Sequence, residues 1–225
     1  MGRRPLPGRR AEICRTAAQI IRERGFEATS LADIAKALGI SKSGLYHYTN
    51  SKHALLFEIM MFGLDQIEAE VVSPVRGIAD PQERLYEVVN RHIRIATRAG
   101  GAVAQLADEV RALPVVSRRK VQQRMRDYVA FVHGIVEELA AAGRLRAIDP
   151  TVATYLVLGS ILWVPRWFRE GGRLAAAQVA YEVAWSTVDA LLRRPAGFTP
   201  RSASYGATLP RDRAQSSSTN QGGAS

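Results

Sequence analysis

Four side chains able to address a nucleic acid fall within six positions: Lys42, Ser43, Tyr46 and His47. Read as a helix, these positions lie on one face, because side chains three and four apart are neighbours. The face offers an ammonium, a hydroxyl, a phenol and an imidazole, all of them hydrogen-bond donors. Such groups suit base edges of a major groove at the helix N-terminus and phosphate oxygens along its flank. Lys42 and Ser43 are the expected base contacts. Gly44, with no side chain, is expected to leave room for the groove wall. Thr29, Ser30, Tyr46 and Lys52 are expected to donate to phosphates, contacts that fix register more than they read sequence.

Holding such a face in place requires a helix-turn-helix, and the chain from about Thr29 to Lys52 carries its punctuation. Ser30 is placed to cap a second helix by accepting from the amide three residues on, with Asp33 adding negative charge to the first turn. Leu31, Ile34, Ala35 and Leu38 form its apolar stripe. Gly39 permits the positive φ of a sharp turn, Ile40 plugs the angle, and Ser41 caps a third helix, Lys42 to Tyr48, anchored inward by Leu45. That third helix is too short and too polar to stand alone, so it must be displayed on a scaffold. Residues 9–24 precede it with Ile13, Ala17, Ile20 and Ile21 at helical spacing, ended by Gly25 as a left-handed cap. Asn50 and Ser51 then start a long fourth helix reaching about Val72, which will carry the recognition helix with whatever the rest of the chain does.

Beyond Pro74, Asp80-Pro81 and Asp149-Pro150 both read as N-cap plus first-turn proline, starting helices near 81–98 and 150–169. Between them lie a helix ending at Leu113-Pro114 and a long one from Ser117 to Ala142, stopped by Gly143. A last helix runs from Leu174 to about Arg194. No segment sustains the alternation of a strand. The predicted fold class is all-α. It has a basic arm over 1–7, a DNA-binding domain over 8–68 with its helix-turn-helix near 31–50, and a larger helical ligand-binding and dimerisation domain over 75–194. The stretch 195–225, rich in Ser, Ala, Gly, Pro and Thr, reads as a disordered tail. Leu156, Leu158 and Ile161 on one late helix, with Val179, Val183, Val188 and Leu191 on the other, exceed what one small core needs and predict a four-helix dimer interface.

The charge supports the same reading. The chain has a net charge of +10. Residues 1–53 carry +6 of it, residues 54–194 carry +2 and residues 195–225 carry +2. The excess marks the first quarter as the part facing a polyanion. Arg3, Arg4, Arg9 and Arg10 form an arm that can enter a minor groove, lie along phosphates, or make no contact. The single cysteine, Cys14, falls inside an amphipathic helix and reads as a small buried hydrophobe in a cytoplasmic chain. The longest apolar run, Tyr155 to Val164, is about half of what a bilayer requires, and the N-terminus lacks the apolar stretch of a signal peptide. His47, His53, His92 and His133 form no metal-binding cluster, and neither a phosphate-cradling glycine loop nor a nucleophile elbow is present, so no catalytic residue, metal or cofactor is expected.

Three stretches carry a family resemblance: Gly25 to Ala35, Leu38 to Tyr48 and Ser51 to Leu56. Together, over about residues 8–68, they resemble the DNA-binding domain of TetR-family transcriptional regulators, which commonly have Phe at the position of Tyr48. The resemblance implies an all-helical homodimer on a palindromic double-stranded operator, usually a repressor released by a small ligand. It also implies that the positions of Tyr46 and Lys52 touch phosphates. Other members sense hydrophobic xenobiotics and govern drug efflux; a DNA-binding protein without a ligand is the further alternative.

The run Trp163-Val164-Pro165-Arg166-Trp167-Phe168-Arg169-Glu170-Gly171-Gly172, with Glu109 to Pro114 and the basic Arg118-Arg119-Lys120, resembles a TetR subgroup of which some members respond to acyl-CoA thioesters. Members of that subgroup usually lack a proline at position 165. Pro165 cannot donate to the Ile161 carbonyl and is expected to bend its helix. Trp163, Arg166 and Trp167 suit a flat or acyl ligand with an anionic group. Arg119 and Tyr128 on the preceding long helix are further candidate ligand contacts, Arg119 through the phosphates of a nucleotide-like handle. The competing reading makes Trp163 and Trp167 dimer-interface aromatics, with Arg166 paired to Glu109 or Asp108.

Overall fold

A computed structural model describes residues 7–98 and 106–192. The expected arm around Arg3 and Arg4 and the expected tail over 195–225 lie outside the described residues. Every regular element among the described residues is helical. Helix α1 (Pro7–Arg24) is followed by α2 (Leu31–Ala37), α3 (Lys42–Tyr46) and α4 (Lys52–Ile67). The fourth helix does reach Val72, but its last turn, Glu68–Val72, is a π-turn that passes straight into the short α5 (Ser73–Val75). Then come α6 (Pro81–Thr97), a 3-10 segment Leu106–Ala112 where an ordinary helix was expected, α7 (Val115–Ala141), α8 (Pro150–Trp167) and α9 (Ala176–Leu191). One isolated antiparallel bridge joins Leu145 to Leu192.

The caps explain where helices begin. Asp80 accepts from the Gln82 and Glu83 amides, and Asp149 from those of Thr151 and Val152, each ahead of a proline that is preset for the first turn. Arg144 donates to Asp80 at 2.7 Å, fastening the α7–α8 connection to the start of α6. That bond first, and the capped amides after it, hold the Asp80 carboxyl below the usual carboxylate range. Gly25, Gly39 and Gly143 all take positive φ at the ends of helices or in the turn beyond them.

Two apolar cores result. One gathers α1 to α4 around Phe26, Ile34, Leu45, Leu56 and Ile59. Leu113, just after the 3-10 segment, and Val121, in the first turns of α7, complete this core. The other lies among α6 to α9, with Leu85, Ile93, Ile135, Leu139 and Ile161 fully buried. The cores are tied where α7 crosses α4: Arg124 donates to Asp65 at 3.1 Å and to the Leu64 carbonyl at 3.3 Å. Any tilt of α7 therefore bears directly on α4 and on the DNA-binding core.

The predicted dimer residues need correction. Leu158, Ile161, Val179, Val188 and Leu191 belong to the chain's own core, and Val183 packs against it. Of the seven, only Leu156 faces outward among the exposed large hydrophobics. Helix α8 is apolar around nearly its whole circumference, so it has two apolar stripes, and sequence alone does not say which one is turned inward. The outer stripe is Tyr155, Leu156, Trp163 and Trp167, joined by Tyr181 and Trp185 of α9. Pro165 is buried in the last turn of α8, which ends two residues later, so the proline coincides with the helix terminus.

Candidate nucleic-acid interface and regulatory core

The helix-turn-helix is assembled from reciprocal local bonds. The Ser30 hydroxyl accepts from the Asp33 amide at 3.2 Å, while the Asp33 carboxylate accepts from the Ser30 amide at 2.9 Å: a capping box at the start of α2. Ser30 also donates its hydroxyl proton to that carboxylate, and these two bonds hold Asp33 below the usual range. Gly39 turns the chain at φ 64°, and Ser41 caps α3 by accepting from the Gly44 amide at 3.0 Å. Helix α3 is only five residues long and one of them, Leu45, is wholly buried. Its existence therefore rests on that anchor and on the Ser41 cap, not on helix propensity.

The outward face carries Lys42, Ser43, Tyr46 and His47, all exposed. Tyr46 is 45% exposed, so its phenol stands clear of the core. The other expected contacts are placed differently. Thr29 is buried and donates its hydroxyl to the Gly25 carbonyl at 2.8 Å. Ser30 has given its proton to Asp33. Neither hydroxyl keeps a proton for a phosphate in this arrangement; both hold the turn before α2. Lys52 is likewise engaged inside the chain, donating to the Phe26 carbonyl at 2.8 Å and the Glu27 carbonyl at 3.2 Å. Gly44 does more than clear a groove wall, since a Cβ there would stand 3.2 Å from the Ser41 cap hydroxyl. Arg9 and Arg10 are part of α1 and pair with Glu12 at 2.7 Å and Glu58 at 2.6 Å, and so are not free arm residues. Cys14 is buried, which pushes its thiol up to about 11 and leaves it inert.

In the second core, sequence reasoning named Tyr128 but missed its partner. The Tyr128 hydroxyl meets His92 Nδ1 at 2.8 Å, with the rings edge to face at 5.3 Å. Burial pushes the His92 imidazole down to about 4 and the Tyr128 phenol upward, so both are neutral. The signal was present in α6, where Leu85, Val88, Val89, His92 and Ala96 fall on one helical stripe, so His92 sits in an otherwise apolar series. Among the described residues no buried side-chain nitrogen or oxygen lacks a partner, and no group of His, Cys, Asp or Glu is placed to hold a metal.

The candidate ligand residues divide between two places. Trp163, Arg166 and Trp167 lie on the outer face of α8, with the Arg166 guanidinium 5.6 Å from the centre of the Trp163 ring and donating to the Leu162 carbonyl. Arg119 is exposed near the start of α7. His133 of α7 bonds Thr154 of α8 at 3.0 Å. Tyr128 is partly buried and packs against the second core.

Comparison with known proteins decides what this arrangement is. Residues 13–59 match the bacterial regulatory proteins of the tetR family, and residues 79–191 match the tetracyclin repressor-like C-terminal domain. The chain belongs to the TetR family. It is a DNA-binding helix-turn-helix repressor and not an enzyme. The HTH-type transcriptional repressor KstR2 of Mycobacterium tuberculosis is 31% identical over 182 residues, covering 77% of this chain and 88% of that one. A crystal structure of AibR in complex with isovaleryl coenzyme A and operator DNA is 36% identical, covers 79% of this chain and 97% of that one, and superposes with a TM-score of 0.71. The KstR2 structure, at 24% identity and a TM-score of 0.76, shares the fold. None of the helices among the described residues is long and apolar enough to cross a membrane.

Proposed function

We propose that this TetR-family chain is a repressor that acts in the cytoplasm as a homodimer on a palindromic operator and is released by an acyl-CoA thioester. The observation that carries the reading is the pairing of Arg166 with Trp163 on the outer face of α8. An indole face with a guanidinium above it suits a flat or acyl group ending in anionic oxygens. Trp163 is 61% exposed in one chain, and such a patch calls for a cover. A second copy joined through α8 and α9 would provide it, enclosing the indoles between subunits. AibR, a relative, was crystallised with isovaleryl coenzyme A and operator DNA. Lys42, Ser43, Tyr46 and His47 are proposed as the DNA-contacting side chains.

In such a dimer two α3 helices would lie about one DNA turn apart, roughly 34 Å. A ligand that favours a different separation weakens the operator complex only to the extent that it binds that state better. The 3-10 segment and α7 provide the route, since Leu113, Val121 and Arg124 bear on α4 and its core.

Two measurements test the reading. Operator binding by the purified protein should fall steeply and linearly on a log–log plot against salt and exceed binding to random duplex. No preference over random duplex refutes it. Isovaleryl-CoA and longer acyl-CoAs should raise thermal stability, by about 2.7 kcal/mol at about 100 times the dissociation constant. Arg166→Ala should abolish that gain and remain dimeric by sedimentation. A full gain in the variant places the ligand elsewhere.

A further inference from the structure

One oxygen, the Ser41 Oγ, makes two bonds that matter to the exposed face of α3. It accepts from the Gly44 amide at 3.0 Å, which caps the helix, and it stands 3.0 Å from the Ser43 Oγ. A hydroxyl has one proton and two lone pairs. The Gly44 amide occupies one lone pair, so the Ser41 proton remains for Ser43. An oxygen that already accepts a bond is polarised toward donating the next one. That favours Ser41 as the donor and leaves Ser43 its own proton. Gly44 gives the pair its room, since a Cβ there would stand 3.2 Å from the Ser41 Oγ, tighter than ordinary contact, and would press on the shared hydroxyl.

The consequence lies at Ser43. It is exposed beside Lys42 in the first turn of α3, the part of the helix that meets base edges when a helix enters a major groove. A serine hydroxyl that turns freely serves amino groups and acceptors alike, and so tells few bases apart. A serine whose oxygen is held from behind by another hydroxyl presents its proton forward. We propose that Ser41 is a positioning residue for base reading: it holds Ser43 as a donor, so that Ser43 selects an acceptor in the major groove, a purine N7, guanine O6 or thymine O4. This rests on Ser43 contacting DNA and not on any effector. The chain holds the contrary case as well. At Ser30 the neighbour is a carboxylate, and the serine proton is drawn inward to Asp33.

Ser41→Asp separates the cap from the proton. Aspartate caps a helix as well as serine does and suits its N-terminus, so α3 keeps its start. It has no proton to give and should draw that of Ser43 inward, as Asp33 does at Ser30. Ser41→Thr keeps both the cap and the proton. The probes are a palindrome selected from random duplexes by the wild-type protein, and copies of it with each base pair in turn replaced in both half-sites. At the position read by Ser43, replacement should weaken wild-type binding about tenfold, as loss of one hydrogen bond per half-site would. Ser43→Ala and Ser41→Asp should both erase that penalty, at the same position and no other, and Ser41→Thr should retain it. The added carboxylate weakens all duplexes alike and cancels in these ratios. At that position, base analogues lacking the acceptor should weaken the wild type and analogues lacking an amino group should not; the reverse overturns the donor assignment. Erasure in Ser43→Ala with the full penalty kept in Ser41→Asp overturns positioning and leaves the contact standing. Unchanged penalties throughout in Ser43→Ala remove the contact and the proposal together. Relaxation at every position in Ser41→Asp, or erasure in Ser41→Thr, assigns Ser41 to the helix alone and overturns the proposal. Should Ser41→Asp fail to fold, Ser41→Gly decides, because glycine is a tolerated N-cap with no hydroxyl. A reduced penalty there supports positioning, and the full penalty overturns it.

Discussion

Acidification from pH 6.5 to 4 should remove about 3 kcal/mol of stability through one side chain, His92. Its imidazole is 5% exposed and bonded to the Tyr128 hydroxyl, and burial pushes it down to about 4. In the unfolded chain the same group takes a proton near 6.5. Between those two values the unfolded state binds more protons than the folded one, so stability rises with pH. The contribution is complete above about 6.5 and declines by about 1.4 kcal/mol for each unit of acid below it, levelling off under about 4, where both states are protonated. Denaturant titrations of wild type and His92→Gln from pH 4 to 7.5 check this. The variant should show a flatter profile across that window, and parallel profiles would assign the acid lability to other groups. Since the shift places the charge change far below neutral pH, the His92–Tyr128 pair is a fixed polar joint between α6 and α7 under ordinary conditions, not a pH sensor.

Leu45→Ala should abolish operator recognition. Truncating a buried leucine costs about 2–5 kcal/mol in transfer and cavity terms. Helix α3 has five residues, with Leu45 its single buried anchor, so it has little else with which to resist that loss. The expected result is an operator affinity reduced by more than about a hundredfold, matching a loss of about 3 kcal/mol. The core among α6 to α9 does not contain Leu45, so acyl-CoA stabilisation, if the proposed function holds, should persist. Near-normal operator binding by a folded Leu45→Ala protein would show that α3 is held by something other than its apolar anchor.

Much of this fold could be read from the chain because its helix starts are written locally. Ser30, Ser41, Ser51, Asp80 and Asp149 each accept from an amide two or three residues on, and a cap of that kind needs no knowledge of the rest of the molecule. The exposed reading face was legible for the same reason, being the side of α3 opposite Leu45. What the sequence hid depends on distant partners. The destination of Lys52 is fixed by carbonyls 25 and 26 positions earlier, and backbone carbonyls leave no trace in residue type. Thr29 and Ser30 look like donors until their protons are followed to Gly25 and Asp33. The orientation of α8 was undetermined because a helix apolar on all sides has no unique inner face. His92 and Tyr128, 36 positions apart, come together only through the packing of α6 on α7.

The π-turn at Glu68–Val72 bears on how such a chain can change in length. A π-turn accommodates one residue more than an ordinary helical turn, a single residue that would otherwise rotate everything downstream by about 100°. Val71 and Val75 remain buried on either side of its end, while Ala69 within it is exposed. The outer side of this turn can therefore give up a residue by tightening to α, with α5 and the start of α6 left facing as they do now. Insertions and deletions are ordinarily confined to loops, yet here the middle of a helix, at the joint between two cores, has room for one.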